Sequence, residues 1–420
     1  MQSLASTSNI SATQNVPFVN AVNASEKTAS MTKDEFDTKT RPGTSIGRPL
    51  NTTFLLTSMP VGGAETLLVN LMRGFDPERV HPSVICLKER GPLGDMISLE
   101  FPLVDQQIKH KYDLGIVRRL SRIFKKWSTD AIVTVGAGDK MFWGRIAARA
   151  AGVPVICSAL HSTGWPDGVG KLNRLLTGIT DSFIGVAESH GKYLIENEKF
   201  PCDKVEVIRN GIDTTRFVPN RDARVRIRNS LGIPESSKVV GIVAALRPEK
   251  NHALFIELAH RLRNHFTKPH FLIIGDGSER PGIEASIAEL GLGNQVHMLG
   301  SRHDTPDLLA SMDAFMLTSH NEASPVSILE ALSCEVPVVA SLVGSVGETV
   351  LNGQNGFTAT PGNADDFQQK LASLLDSDDY SNTLGRYGRR FVVENASLQS
   401  MVDGYQNLIE SKFQQKTNRS

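Results

Sequence analysis

Two glutamates eight residues apart are the strongest candidates for chemistry in this sequence. Glu322 stands in the loop before a helix predicted over residues 325–334, and Glu330 lies about two turns inside that helix. Ser324 is a suitable N-cap, and Pro325 suits the first helical position. The helix is otherwise apolar nearly all round, so a carboxylate at Glu330 needs a partner that offsets its desolvation, such as sugar hydroxyls or a cation. From spacing alone, a salt-bridged Glu330 and a solvated Glu322 are an equally good interpretation.

A phosphate-binding site is indicated beside these glutamates. The N–H groups of Val326 and Ser327, near the start of the same predicted helix, are free to meet a diphosphate. Arg247 and Lys250 follow the carboxyl end of a strand predicted over residues 239–244. Ligands bind at that edge of such a sheet, so both cations could reach phosphate oxygens. In isolation, the two cations would suit a solvated basic loop better, and it is their position at this edge of the sheet that favours phosphate binding.

Four further residues give weaker signals at strand ends. Gly62 and Gly63 turn from the first predicted strand into the first helix, where paired glycines let the backbone approach a ligand closely. His161 directly follows a predicted strand, and Gly275 opens a tight turn after another. Each has a structural alternative, because Gly-Gly turns are common and a lone histidine is more often structural than catalytic.

A repeating pattern of short apolar runs and helix-length segments must position these residues. From residue 52 onward, apolar β-branched runs alternate with helical patterns, which predicts parallel strands buried on both faces. The pattern restarts after a turn-rich segment over residues 210–221, the predicted linker. The sequence therefore predicts an α/β fold with two Rossmann-like doubly wound domains facing each other across a cleft, where such folds bind ligands.

The predicted boundaries follow this pattern. Strands are predicted at residues 53–57, 83–87, 131–135, 155–159, 182–187, 205–208, 239–244, 271–274, 296–299, 314–317 and 338–340, and helices at 64–73, 116–127, 140–151, 188–197, 251–263, 282–290, 325–334 and 365–375. Residues 1–49 are rich in Ser, Thr and Asn without apolar periodicity or a secretory pattern, which predicts a disordered leader. Domains are expected at residues 50–215 and 216–390, and the C-terminal helix within 391–420 could cross back to the first domain.

Composition narrows the class of protein. Hydrophobic residues make up 40% of the 420 residues and charged residues 21%, as in globular proteins. Lys plus Arg and Asp plus Glu both total 45, which argues against a nucleic-acid partner. The four cysteines are far apart and form no CxxC, so neither a disulfide framework nor structural zinc is expected. With no run long enough to span a membrane, we expect a cytoplasmic protein.

Six motifs in register resemble the GT-B glycosyltransferases of the large retaining family GT4, over roughly residues 51–408. The strongest is the E-x7-E pattern of Glu322 and Glu330. The others are Gly62-Gly63-Ala64-Glu65, residues 207–213, Arg247-Pro248-Glu249-Lys250-Asn251, Gly275-Asp276-Gly277 and residues 299–304.

The resemblance implies a role for each main side chain. Glu322 would hold hydroxyls of a donor sugar, and Glu330 would hold the ribose of the donor nucleotide. Arg247 and Lys250 would neutralise the departing diphosphate, which agrees with the charge stabilisation that such a transfer requires. Donor and sugar contacts would be completed by His161, Gly62, Gly63, Gly275, Val326 and Ser327.

The resemblance also implies the reaction. A hexosyltransferase of this family moves a sugar from a nucleotide-diphosphate donor, most commonly linked to UDP, to a glycan or lipid-linked acceptor. The family retains the anomeric configuration and works without a metal, so no cofactor is expected. The acceptor site is expected in the first domain and the donor site in the second.

Four positions depart from the family pattern. Ala245 stands where an Arg is common, and Ala323 where Gly usually follows the first glutamate. Glu335 and Ser345 also replace usual glycines. The first departure would weaken diphosphate binding unless Arg247 substitutes, and the others would change how the backbone meets the sugar. No key side chain is lost, so activity is still expected.

A basic segment and two competing functions complete the predictions. Arg118, Arg122, Lys125 and Lys126 fall on one side of a predicted helix, which indicates either an ordinary surface helix or peripheral contact with anionic lipid at the inner face of the membrane. The fold also hosts nucleotide-sugar epimerases and hydrolases. A non-catalytic sugar-nucleotide-binding protein is the second alternative.

Overall fold

Two fully parallel sheets organise the part of the chain that the computed structural model describes, residues 46–110, 113–136, 139–160, 174–265 and 267–418. Most of the predicted leader lies outside these ranges, and so does His161.

The first lobe is a seven-stranded sheet with its helices. Its strands are Leu50–Leu56 (β1), Val80–Cys86 (β2), Leu103–Val104 (β3), Ala131–Val135 (β4), Val155–Ala159 (β5), Ser182–Gly185 (β6) and Val205–Val207 (β7), in the order β3-β2-β1-β4-β5-β6-β7. Its helices are Gly63–Gly74 (α1), Gly91–Ile97 (α2), Gly115–Lys126 (α3), Asp139–Ala151 (α4) and Glu188–Glu196 (α5).

The second lobe is a six-stranded sheet with its helices. Its strands are Val239–Val243 (β8), His270–Ile274 (β9), Val296–Gly300 (β10), Ala314–Leu317 (β11), Val338–Ser341 (β12) and Gly356–Ala359 (β13), in the order β10-β9-β8-β11-β12-β13. Its helices are Arg221–Ser230 (α6), His252–Leu262 (α7), Arg280–Glu289 (α8), Thr305–Ala310 (α9), Val326–Ser333 (α10), Val346–Thr349 (α11) and Ala364–Leu375 (α12). Two longer helices follow, Asp378–Asn395 (α13) and Leu398–Thr417 (α14).

The strand order creates a switch point in each sheet. In the first lobe β1 lies between β2 and β4, and in the second β8 lies between β9 and β11. The chain leaves these neighbouring strands in opposite directions, so a crevice opens at their carboxyl ends, where doubly wound folds bind ligands. The predicted α/β class is confirmed, and the apolar runs are buried, as parallel strands covered on both faces require.

The C-terminal helix α14 packs on the first lobe. Met401, Val402 and Tyr405 belong to the same buried cluster as the side chains of β1 and α1. Arg79 Nη2 lies 2.6 Å from Glu410 Oε2, and Ile212 pairs with Ser397 in an isolated bridge just before the helix. The C-terminal helix therefore contributes core side chains to the N-terminal lobe.

Candidate functional site

Lys250 and Glu322 meet at the switch point of the second lobe. Lys250 ends the short 3-10 turn Pro248–Lys250 after β8, and Glu322 lies in the loop after the neighbouring strand β11. Lys250 Nζ is 2.6 Å from Glu322 Oε1. Thr318 Oγ1 donates to the carbonyl oxygens of Lys250 and Asn251, at 3.1 and 3.0 Å, and so ties the two loops together.

The Glu322 carboxylate is held at one oxygen. It is only 9% exposed, and Ser319 Oγ donates to the same Oε1 at 2.7 Å. Among the described residues, Oε2 accepts no hydrogen bond. A buried ion pair is costly unless its remaining groups find partners. The arrangement thus leaves Oε2 available to hydroxyl groups of a ligand.

The backbone around Glu322 is fixed by the loop after β12, in which Ser345 stands where the family usually has a glycine. Gly344 has φ +52°, and a Cβ there would collide with the carbonyl oxygen of Glu322. Ser345 donates to the carbonyl oxygen of Ala323 through its N–H at 3.2 Å and also through its hydroxyl. The departure from the family pattern at Ser345 was the signal in the sequence, but it did not indicate that this loop contacts the backbone at Glu322 and Ala323.

The predicted N-cap at Ser324 is wrong. Helix α10 begins at Val326, and Pro325 is its N-cap, with φ −71° and ψ 116° and no side-chain cap bond. Ser324 instead presents its carbonyl oxygen to Asn210 Nδ2 at 3.1 Å. The first N–H groups of α10, at Val326 and Ser327, lie before the helical hydrogen-bond ladder, as the prediction for a diphosphate requires.

The glycine turn of the first lobe faces the start of α10. Helix α1 begins at Gly63 with Gly62 as its N-cap. A Cβ added at Gly63 would lie 3.9 Å from Val326 Cγ2, and Val326 packs against the buried cores of both lobes. The first turns of α1 and α10 therefore lie next to each other at the junction of the lobes.

Arg247 lies near an acidic group of the first lobe. Burial raises the pKa of Glu65, and the charge of Arg247 opposes that rise. The Arg247 side chain is 63% exposed, and its Nη1 is 4.0 Å from Glu249 Oε1. Its guanidinium is thus free enough to turn toward an anion at the junction.

Glu330 has no internal partner within the described residues, where it makes no hydrogen bond or ion pair. It is half-buried in α10. Burial raises the pKa of Glu330 to about 7, against the opposing charge of Arg216. Its carboxylate is therefore desolvated with only the more distant charge of Arg216 to offset the cost, and Glu330 rather than Glu322 is the glutamate without a salt bridge.

Gly275 packs against the backbone at the end of β8, just before the loop that carries Arg247 and Lys250. It has φ +142°, and a Cβ there would collide with the carbonyl oxygen of Ala244. Its N–H donates to the carbonyl oxygen of Gly300 at 2.9 Å. This accounts for the glycine structurally, and a direct donor contact stays a prediction, as does any role of His161.

A cavity of about 170 Å³ opens in the first lobe beside the glycine turn. It lies at the carboxyl ends of β1 and β4, and its lining includes Pro60, Ala64, Glu65 and Gly136. This is the switch point of the first sheet, so a second ligand group could approach the junction from that side.

The described part of the chain also bears on metal ions and membranes. There, no group of three or more His, Cys, Asp or Glu side chains is arranged to hold a metal ion. Within the same ranges, no helix combines the length and the apolar character that crossing a bilayer requires.

Two family models match consecutive parts of the chain. The model of the glycosyl transferases group 1 matches residues 223–391, which cover the second lobe and most of α13. The model of glycosyltransferase family 4 matches residues 61–216, which cover most of the first lobe. Both candidate loops of the second lobe and the glycine turn of the first fall within these matches.

Similar proteins of known activity or structure agree with the family models. The UDP-Gal:alpha-D-GlcNAc-diphosphoundecaprenol alpha-1,3-galactosyltransferase of Escherichia coli is 27% identical, over 79% of this chain and 89% of that protein. The N,N'-diacetylbacillosaminyl-diphospho-undecaprenol alpha-1,3-N-acetylgalactosaminyltransferase of Campylobacter jejuni is also 27% identical, over 70% of this chain and 81% of that protein. The crystal structure of Anabaena HepE in complex with UDP and glucose superposes with a TM-score of 0.76 at 21% identity, over 86% of this chain and all of that one.

Proposed function

Because the chain belongs to the group 1 glycosyltransferases and is a glycosyltransferase of the GT-B fold, we propose that it moves a hexose from a nucleotide-diphosphate donor to a lipid-linked or glycan acceptor. The observation that carries this proposal is the buried contact of Lys250 with Glu322 at the switch point of the second sheet. A UDP-linked donor is supported by the relative named for UDP-Gal and by the structural neighbour that holds UDP.

The proposed donor lies along the junction of the lobes. Glu322 Oε2 accepts hydrogen bonds from sugar hydroxyls, and the unpartnered Glu330 carboxylate accepts from the ribose. Lys250 donates one of its three N–H groups to Glu322, which leaves two for phosphate oxygens. Arg247 and the N–H groups at the starts of α1 and α10 supply the remaining positive charge.

In the proposed reaction, the acceptor hydroxyl oxygen bonds to the anomeric carbon as the bond from that carbon to the diphosphate breaks. Attack on the same face as the departing diphosphate retains the configuration. The hydroxyl proton passes to the leaving phosphate oxygen, and Lys250 and Arg247 stabilise the negative charge that remains. These cations occupy the place of a metal, so turnover is expected to be unaffected by a chelator.

The acceptor is proposed to enter over the first lobe. The cavity beside Gly136 and Glu65 opens at the carboxyl ends of β1 and β4, next to the glycine turn. Two relatives are named for acceptors that carry a diphosphoundecaprenol, which supports a lipid-linked acceptor here.

A peripheral membrane contact would bring the protein to such an acceptor. The apolar residues Ile116, Leu120 and Phe124 of α3 are buried, and the exposed side chains within this helix are those of Arg118, Arg122, Lys125 and Lys126. The contact proposed is therefore electrostatic rather than insertion. Flotation with anionic vesicles tests it: Arg118→Glu with Arg122→Glu should abolish binding, and unchanged binding would discard the contact.

A thermal-shift screen of nucleotide sugars tests the function itself. A donor that binds the folded state raises its melting temperature, by an amount that grows with ligand concentration. Turnover of that donor should then depend on an added acceptor extract. Release of a free epimer, or rapid hydrolysis of the donor alone, would favour the epimerase or hydrolase alternative. Binding without turnover by any acceptor would favour a non-catalytic protein.

A further inference from the structure

Glu348 of the second lobe caps a helix of the first lobe. Its Oε1 accepts a hydrogen bond from the N–H of Ser189 at 2.6 Å, and its Oε2 accepts one from the N–H of Glu188 at 3.0 Å. These residues form the first turn of α5, whose own N-cap, Ala187, offers no side-chain acceptor. The exposed N–H groups of a helix start favour a carboxylate.

The electrostatic surroundings of Glu348 agree with a charged cap. Burial acts to raise the pKa of Glu348, but the bonds from Ser189 and Glu188 and the charge of Arg209 together hold it below its usual value. Arg209 Nη2 also lies 3.6 Å from Glu188 Oε1. The contact between the lobes is therefore specific and charged.

The same short segment fixes Glu322 at its other end. Glu348 belongs to α11, which Gly344 and Ser345 directly precede. Gly344 packs closely against the carbonyl oxygen of Glu322, and Ser345 donates hydrogen bonds to that of Ala323. Val346, between the two contacts, is fully buried and anchors the segment in the core of the second lobe. Because this segment is short and tightly packed, a displacement at one end should also displace the other end.

We propose that Glu348 is a positioning residue: its bond to α5 holds residues 343–349 in the place that sets Glu322, so that docking of the two lobes completes the donor site. The kinetic consequence rests on the function proposed above, whereas the structural coupling does not. Because Glu322 would contact the sugar directly and the diphosphate only through Lys250, loss of the cap should reduce affinity for the donor more than affinity for the bare nucleoside diphosphate.

Amide hydrogen exchange tests the coupling directly. In Glu348→Ala, exchange should accelerate at Glu188 and Ser189, which lose their acceptor, and also at Ser345, whose N–H bonds to Ala323. Glu284→Ala is the matched control, because it removes an exposed acid paired only within α8, and exchange at these amides should be unchanged. Faster exchange at the first two amides with Ser345 unchanged would overturn the proposal, whatever reaction the protein catalyses.

A substitution on the opposite side of the contact separates coupling from local damage. Glu188→Pro removes one donor at the first position of α5, where proline fits and where the preceding Ala187 is already extended. We expect it and Glu348→Ala each to lower kcat/KM for the donor at least about tenfold, and the double variant to be no worse than Glu348→Ala. Wild-type kcat/KM in Glu348→Ala would refute a positioning role. If no nucleotide sugar stabilises the wild type, the proposed function fails, and the exchange result still decides the coupling.

Discussion

Glu322 and Lys250 form a largely buried ion pair. Removing either charge would leave the other buried without its partner. In the proposed site, Glu322→Ala would also remove a hydrogen-bond acceptor for the sugar hydroxyls, and Lys250→Ala would remove a hydrogen-bond donor to the phosphate oxygens. Each is expected to lower kcat at least about a hundredfold, the scale of losing one transition-state charge contact. Steady-state kinetics with the identified donor measure this, and Glu284→Ala serves as an exposed acidic control. Near-wild-type rates in both variants would refute the site.

Glu330 makes stability depend on pH. Its pKa is raised to about 7 in the folded protein from the ordinary value of 4.5, so the folded state holds a proton that the unfolded state has released. Stability from this group is complete below about pH 4.5 and is lost as pH rises to about 7. Glu330→Gln cannot ionise, so its free energy of unfolding should rise relative to wild type as pH increases from 5 to 7.5, on the order of 1 kcal/mol per pKa unit. Melting temperatures of the two proteins across this pH range measure the difference. A difference that does not change with pH would contradict the uncompensated carboxylate.

The sequence could predict that Lys250 and Glu322 lie close together, but not the loop contacts that hold them in place. Lys250 and Glu322 follow strands β8 and β11, and the rule that ligands bind at strand carboxyl ends was enough to bring them together. The hydrogen bond of Ser319 and the close packing of Gly344 against Glu322 were not predicted, because they are contacts between loops, which local spacing does not encode. Ser324 is not the cap because the helix begins one residue later than predicted, at Val326, so that Pro325 takes the N-cap position.

The predicted elements succeed where a strand or helix is dictated by its own apolar pattern. β4, β5 and β11 have the predicted bounds because each is a short run of buried apolar residues between helices. β13 was missed because Gly356 and Thr358 interrupt its apolar run. Helix α13 was missed because it contains glycines, at Gly385 and Gly388, which pack against the end of α10. Its helicity is favoured by packing rather than by intrinsic propensity.

Glu335 is a departure from the family pattern with a measurable cost. It follows the C-cap of α10 and has φ +61°, a left-handed conformation that favours glycine. Glu335→Gly is expected to relieve this strain and stabilise the protein by up to about 1 kcal/mol. Unfolding of the second lobe in denaturant measures the change. Glu335→Ala keeps a Cβ at the same φ and should bring no comparable gain; equal stabilisation by both would point to the carboxylate instead of the backbone.

The two lobes are connected twice, once by the segment before α6 and once by α14, which returns from the second lobe to the first. The second connection is energetic as well as topological, because α14 supplies Met401, Val402, Tyr405, Leu408 and Ile409 to the core of the first lobe. The two lobes are therefore not independent folding units, although each has its own sheet. The site between them depends on this return of the chain.

Truncation before Leu398 should consequently unfold the first lobe rather than merely detach a tail. Burying an aliphatic or aromatic side chain contributes about 1.5–3 kcal/mol, so losing five exceeds the margin of about 5–15 kcal/mol by which a domain is stable, or comes close to it. Limited proteolysis should cut the strands of the first lobe while peptides from the second lobe stay protected. Deletion from Thr417 onward keeps all five side chains and is the control. Unchanged protection of the first lobe in the longer truncation would show that its sheet is stable without the helix.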